Sequence, residues 1–301
     1  MSNKLNAPDV DHALINSSEL RSMMVLPRLV ILMTSMKDIV SGKPEDAPSG
    51  YLPGARWFDF EDDFCDLDSP LPHTLPSPHA FEQKARALGI HQNSIVVVYD
   101  NKGIFSSPRV WWMFKAMGHE QVFVLNGGLP AWQKSGGELQ SCLSSPSEPG
   151  DFCVNFQQQW LAELTQMQAW CHLHCQPPKH VDHFEEHPPL ILDARAQARF
   201  YGDVDEPRPG LRKGHIPSSK NLPFTELLSE GAYKNKSELQ AYFSTLAASQ
   251  TTSMVFSCGS GVTACILALA AYECGYRQLS VYDGSWAEWG SDPHLMIETG
   301  R

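Results

Sequence analysis

Short uninterrupted apolar runs recur along the chain, each closing on a turn or helix signal. In the first half they are Leu29–Met33, Ile95–Tyr99 and Val122–Leu125; in the second, Leu190–Leu192, Met254–Ser257 and Leu279–Tyr282. They are too short for helices and rich in Val, Ile and Leu. Such runs read as strands buried on both faces. Their alternation with helix-forming stretches predicts parallel sheets covered by helices on both sides. The stretch Val25–Met33 contains Pro27 and Arg28, so it reads as one of these strands with its lead-in. No apolar run approaches the ~20 residues needed to span a bilayer.

The two halves repeat. Gly50-Tyr51-Leu52-Pro53-Gly54-Ala55 parallels Gly214-His215-Ile216-Pro217-Ser218-Ser219. Leu125-Asn126-Gly127-Gly128, closing at Trp132, parallels Tyr282-Asp283-Gly284-Ser285, closing at Trp289. Pro53 and Pro217 are 164 residues apart, Trp132 and Trp289 157 apart. A near-constant offset of this size implies duplication of a whole domain rather than a short solenoid repeat. The expected layout is an N-terminal domain over 1–140, a linker over 141–156 and a C-terminal domain over 157–301. The linker is read from Ser141–Asp151, rich in Ser and Pro. Two such domains are expected to leave a cleft for a ligand.

Composition fits two soluble domains: 301 residues, 42% hydrophobic, 19% charged. A net charge of −11 argues against nucleic acid or an anionic membrane as partner, since both reward a basic surface. An anionic substrate would need a local positive site. Eight cysteines are too sparse for a disulfide scaffold and read as free thiols in a reducing compartment. The start, Met1–Leu14, is polar and lacks a signal-peptide pattern, so a cytoplasmic location is expected. A monomer is the expected assembly.

Of those cysteines, Cys258 stands apart by placement. The strand Met254–Ser257 runs into Cys258-Gly259-Ser260-Gly261-Val262-Thr263, and a helix follows to about Glu273, with Gly275 able to end it. Glycines let this loop curl, so its N–H groups and the helix N-terminus point at the sulfur. Such surroundings favour the thiolate and would stabilise a persulfide anion in the same way. Cys265 and Cys274, inside the helix, read as inert core residues. The matching strand of the first half ends in Asp100, and no cysteine follows in Asn101-Lys102-Gly103-Ile104-Phe105-Ser106.

These motifs resemble the tandem rhodanese-domain sulfurtransferases over nearly the full length. The elements that match are Gly214-His215-Ile216-Pro217, the loop Cys258–Thr263, Tyr282-Asp283-Gly284-Ser285-Trp286 and, in the first half, Ser107-Pro108-Arg109-Val110-Trp111-Trp112. The resemblance implies an α/β protein of two rhodanese-like domains, each a parallel sheet with helices on both faces, the first lacking a nucleophile. The loop Cys-Gly-Ser-Gly-Val-Thr looks like the 3-mercaptopyruvate branch. The thiosulfate branch typically carries basic residues where Gly259 and Ser260 stand. The implied reaction moves sulfur from 3-mercaptopyruvate to Cys258, then to a thiol such as thioredoxin or a small thiol, or to cyanide, releasing pyruvate without a cofactor or metal. Gly259, Gly261, Val262 and Thr263 would hold the persulfide through their backbone. Arg199 and Arg208 would grip the carboxylate, a task that suits a guanidinium fork. The plainer alternative for each is an ion pair with Asp203, Asp205 or Glu206. Arg195 is expected to hold the domain together. A relay of Ser260, His73 and Glu61 would manage the proton. An extra residue between Asp59 and Ser69 leaves Asp62 or Asp63 as alternatives to Glu61.

Other constellations carry less. Cys171-His172-Leu173-His174-Cys175 suggests a metal cluster, with His180, His183 and His187 following. Yet Trp160, Leu161, Leu164, Met167, Gln168 and Cys171 keep helical spacing, so a helix burying Cys171 and Cys175 is expected. The sequon at Asn16 carries little without a secretory signal. The five acids of Glu61–Asp68 read as a solvated loop apart from one catalytic member. A Cys-based phosphatase would need an Arg where Ala264 and Cys265 stand. An inert binding module would have no use for the Cys258 loop.

Overall fold

A computed structural model describes residues 11–175, 188–246 and 249–300, the side chain of Cys175 excepted. The strands in chain order begin with β1 (Leu14–Ile15), β2 (Leu29–Thr34), β3 (Arg56–Trp57), β4 (Ile95–Asp100) and β5 (Val122–Leu125). Then come β6 (Leu161–Ala162), β7 (Leu190–Asp193), β8 (Lys220–Asn221), β9 (Leu228–Ser229), β10 (Ala232–Tyr233), β11 (Met254–Ser257) and β12 (Leu279–Tyr282). All six apolar runs are strands. Two sheets of five carry the same order, β1-β5-β4-β2-β3 and β6-β12-β11-β7-β8. Every pairing within them is parallel. The duplication read from two motifs thus extends to the strand order.

The chain forms two compact units. Among the described residues one comprises 11–68, 75–157 and 228–234; the other 69–74, 158–175, 188–227, 235–246 and 249–300. Each therefore includes a short piece from the opposite half of the sequence. Residues 69–74, with His73, belong to the second unit, and the β9–β10 hairpin to the first. There Gly231 carbonyl accepts the Ile104 N–H at 2.7 Å, and Asn126 Oδ1 accepts the Tyr233 N–H at 2.8 Å.

In the first unit β4 is buried along its whole length, as expected of a central parallel strand. The core on one face gathers Ile31, Val97, Tyr99, Phe123 and Trp132. An aromatic cluster built on Phe58, Phe64, Phe81, Phe114 and Phe152 forms a second core group. The Ser/Pro-rich stretch read as a linker lies along this unit. Gly150 N–H donates to Arg86 carbonyl and Phe152 N–H to Ile90 carbonyl, and Phe152 is fully buried. A Cβ at Gly150 would fall 1.9 Å from the Ile90 oxygen, so only glycine allows this approach.

In the second unit the helix α8 (Ala264–Glu273) follows the Cys258 loop and is buried on all sides from Ala264 to Tyr272. A helix apolar all round belongs in a core, and its alanines permit close packing. It anchors the loop before it. Val255, Tyr282, Trp286 and Trp289 form the core on one side of this sheet. Among the described residues, no helix is long and apolar enough to cross a membrane.

His119, 2% exposed, sits against the rings of Phe114 and Phe152 with its Nε2 lacking a hydrogen-bond partner. Burial pushes its pKa down to about 4. In the unfolded chain the imidazole takes a proton below about 6.5, and in the fold only near 4. Acid between those values therefore favours unfolding, by about 2 kcal/mol at pH 5. We predict that wild type loses about 2 kcal/mol more stability than His119→Phe between pH 7 and pH 5 in urea denaturation. Equal losses would exonerate the histidine.

Candidate active site

Cys258 follows β11 directly and is 2% exposed. Its loop is shaped by one hydroxyl that comes from after β12. Ser285 Oγ accepts the N–H of Cys258 and the N–H of Gly261, both at 3.1 Å, and donates to Tyr282 carbonyl at 2.8 Å. The short helix α9 (Ser285–Trp289) completes the clamp. Trp286 N–H reaches Cys258 carbonyl at 3.0 Å, and Ala287 N–H reaches Gly259 carbonyl at 2.9 Å. Ser285 has φ +49°, an uncommon conformation for a residue with a Cβ, and these bonds hold it there. Gly261, at φ +75°, supplies the bend that brings its N–H to Ser285. Gly261 therefore shapes the loop while its N–H is committed. Among the described residues, the N–H groups of Gly259, Ser260, Val262 and Thr263 have no backbone acceptor outside helices and strands. These N–H groups are the loop's remaining backbone donors.

Ser260 is 4% exposed. Its Oγ lies 3.1 Å from His73 Nδ1 and takes a hydrogen bond from Arg208 Nη2 at 3.3 Å. With Arg208 donating, the hydroxyl proton can point to Nδ1, which then accepts as the Nε2–H tautomer. His73 has φ +62°, strained backbone of the kind found at functional sites.

Arg199 and Arg208 converge over Gly259. A Cβ there would lie 3.0 Å from Arg199 Nη2 and 3.7 Å from Arg208 Nη1. Arg199 is also held by Glu206, through Nη2–Oε2 at 2.5 Å and Nε–Oε1 at 3.3 Å. The ion pair with Glu206, the plainer of the sequence's two readings of Arg199, is therefore present, and the guanidinium also stands over the loop. Glu206 is a residue the sequence left as a mere competitor. Its Oε1 also accepts Arg195 Nη1 at 2.8 Å. Arg195 is fully buried, bonded to Asp193 and to Gly214 carbonyl, and lies 4.5 Å over the Trp286 ring. Burial alone would lower its pKa, but Asp193 and Glu206 outweigh that and raise it. Asp193, Arg195, Glu206 and Arg199 form a row of alternating charge that runs from the core to the loop.

The other sequence-derived residues lie in the first unit. Glu61 is half-buried, and its Oε2 accepts the Lys37 N–H at 2.8 Å. Asp62 is exposed and pairs with Lys37 Nζ at 2.5 Å. Asp63 is exposed, and its carbonyl accepts the Lys84 ammonium. At the strand end that corresponds to Cys258, Asp100 is wholly buried. Its carboxylate accepts the N–H groups of Phe105, Ser106 and Ser107 at 2.8–3.0 Å and both serine hydroxyls. Burial raises its pKa against the pull of these bonds. The first unit keeps an anion cradle and fills it with its own side chain.

Cys171 is buried and its Sγ faces Pro217 carbonyl, while His174 Nε2 lies 3.0 Å from Pro189 carbonyl. His180, His183 and His187 lie outside the described residues. Among the described residues no group of three His, Cys, Asp or Glu could hold a metal ion.

Comparison with known proteins agrees with this geometry. The rhodanese-like domain family matches residues 35–135 and 177–292. The chain is 40% identical over 250 residues to the 3-mercaptopyruvate sulfurtransferase of Escherichia coli K12, covering 83% of this chain and 84% of that one. It is 38% identical to the mitochondrial thiosulfate/3-mercaptopyruvate sulfurtransferase 1 of Arabidopsis thaliana, over 91% of this chain and 74% of that one. The crystal structure of SseA, the 3-mercaptopyruvate sulfotransferase of E. coli, superimposes with a TM-score of 0.76 and 34% identity, covering 91% of this chain and 99% of that one. With two matched domains, the same strand order twice over and relatives near 40% identity, the chain belongs to the rhodanese-like family.

Proposed function

We propose that this protein transfers sulfur from 3-mercaptopyruvate through a Cys258 persulfide. The observation that carries the reading is the pairing of an uncharged loop beside the sulfur with two guanidinium groups set over Gly259. A thiosulfate donor would gain most from a cation next to Cys258 Sγ, where Gly259 and Ser260 stand. The carboxylate of 3-mercaptopyruvate lies further from its sulfur, which suits Arg199 and Arg208. The name of the Escherichia coli relative carries the same donor, and that of the Arabidopsis relative carries it beside thiosulfate.

In the first half-reaction Cys258 thiolate attacks the donor's sulfur. The Sγ–S bond forms as the C–S bond breaks, and the electron pair of that bond passes to the enolate of pyruvate. The enolate takes a proton at carbon, balanced by the proton that the donor thiol gives up. Ser260 and His73, in hydrogen-bond reach of each other, are the pair we assign to moving it. The free N–H groups of the loop stabilise the persulfide anion left on Cys258. In the second half-reaction an acceptor thiolate, from thioredoxin or a small thiol, or cyanide, attacks the outer sulfur and Cys258 leaves as thiolate. Cys142, Cys153, Cys258 and Cys274 are free thiols, which supports a reducing compartment such as the cytoplasm.

Mixing the enzyme with 3-mercaptopyruvate should add the mass of one sulfur atom to the intact protein and none to Cys258→Ser; no gain in wild type would sink the reading. On donor choice, kcat/KM for 3-mercaptopyruvate is expected to exceed that for thiosulfate at least tenfold, about 1.4 kcal/mol of transition-state preference. Comparable values would instead favour a thiosulfate enzyme. Glu206→Gln should raise KM for the donor about tenfold with kcat changed far less, because Arg199 loses its fixed orientation. The same change should lower stability by about 3 kcal/mol, since it strands Arg195 with a single buried anion.

A further inference from the structure

A guanidinium meets a carboxylate at two points only from a fixed place, yet the stretch that carries Arg208 has little structure of its own. Between the short helix Gln197–Phe200 and β8 the chain forms no further helix or strand. From Tyr201 to Gly210 the one buried residue is Glu206, and Asp203, Val204, Asp205, Pro207, Pro209 and Gly210 are exposed. The middle of this loop therefore has almost no core to pack on.

The two ends of the loop are tied to the last residues of the chain. Gly300 N–H donates to Tyr201 carbonyl at 2.9 Å. Glu298 and His215 exchange both backbone bonds as an isolated antiparallel bridge, at 2.9 and 3.0 Å. Glu298 Oε2 also accepts the Ser218 N–H at 3.1 Å. The backbones approach closely here, since a Cβ on Gly214 would fall 2.3 Å from the Glu298 oxygen. Beside the bridge, the His215 ring stacks on Phe200 with 3.8 Å between centroids. Arg212 fastens the loop's far end from its own side, giving Nη1 to Leu295 carbonyl at 2.8 Å and Nη2 to Trp289 carbonyl at 2.9 Å. The chain end is itself anchored. Leu295 and Ile297 rest on the core group of Val255 and Trp286, and Trp289 Nε1 donates to Met296 carbonyl at 2.8 Å.

We infer that residues 295–300 form a strap that positions Arg208 for the donor, with Glu298 and Gly300 as its positioning residues. This deepens the proposed function and rests on Arg208 as a grip for the donor carboxylate. A loop whose ends are held together samples fewer arrangements than one whose ends are loose. A shift of about 1 Å in a guanidinium spoils two-point contact with a carboxylate. The strap makes no contact with the Cys258 loop in any of these bonds, so its effect falls on donor binding and not on the chemistry at sulfur.

Proline substitutions in the full-length protein test this. Glu298→Pro removes the N–H given to His215 carbonyl. Gly300→Pro removes the N–H given to Tyr201 carbonyl, and the proline ring cannot take the φ of +82° found there. With 3-mercaptopyruvate, Glu298→Pro should raise KM about fivefold and Gly300→Pro about threefold, with kcat within about twofold of wild type. Discharge of the loaded persulfide by cyanide, an acceptor without a carboxylate, should stay within about twofold in both. Hydrogen exchange should quicken across 201–214 and stay unchanged across α8. Met296→Ala, at a side chain 66% exposed, should match wild type throughout. Gly300→Pro alone carries the test if Glu298→Pro does not fold. An unchanged KM, unchanged exchange across 201–214, or a cyanide step that slows together with donor use would overturn the inference. Should wild type gain no sulfur from 3-mercaptopyruvate, the donor reading fails by itself, and the exchange across 201–214 then decides whether the strap braces the loop.

Discussion

The hydroxyl of Ser285 uses its full bonding capacity inside the Cys258 loop. It takes one N–H from each side of the loop's bend, at Cys258 and Gly261, and returns its own proton to the strand that precedes it. A loop of six residues has many ways to fold, and N–H groups gathered in a tight bend repel each other. Something must hold them in that arrangement before an anion arrives. The Ser285 clamp supplies the restraint from the neighbouring strand. The fully buried α8 fixes the far end of the loop. The donors that remain are thereby oriented in advance, which is the condition for electrostatic stabilisation without reorganisation.

The second constraint concerns where positive charge sits. An arginine near a buried loop could fold back on any carboxylate. Here Glu206 holds Arg199 while Arg195 holds Glu206, and Asp193 together with the Trp286 ring holds Arg195. The alternating row nearly cancels its own field, so a cation is presented at its outer end without an isolated charge in the core. Arg208 has a different attachment, through Ser260, and so joins the guanidinium pair over Gly259 to His73.

How much of this was legible in the sequence differs by scale. The six buried strands were readable because a central parallel strand is apolar throughout. The two-residue edge strands β1, β3, β6 and β8 were not, since two residues show no periodicity. Cys258 was legible from its position between a strand and a helix. Ser285 was visible as part of a motif, yet its role depends on a left-handed backbone and on partners up to 27 residues away. Glu206 could be named as a partner for Arg199, but its bond to Arg195 needed the fold. His73 lies in the first half by number and in the second unit by contact, a crossing that no local pattern announces.

Asp100 shows what two copies of one receptacle can become. Five donors close around its carboxylate, so the first unit has a permanent internal guest at the strand end where the second places a thiol. A tethered guest has no dissociation constant and no off-rate, and it cannot be displaced at any concentration of a free anion. In the first unit, donors at this strand end act as an interior fastening.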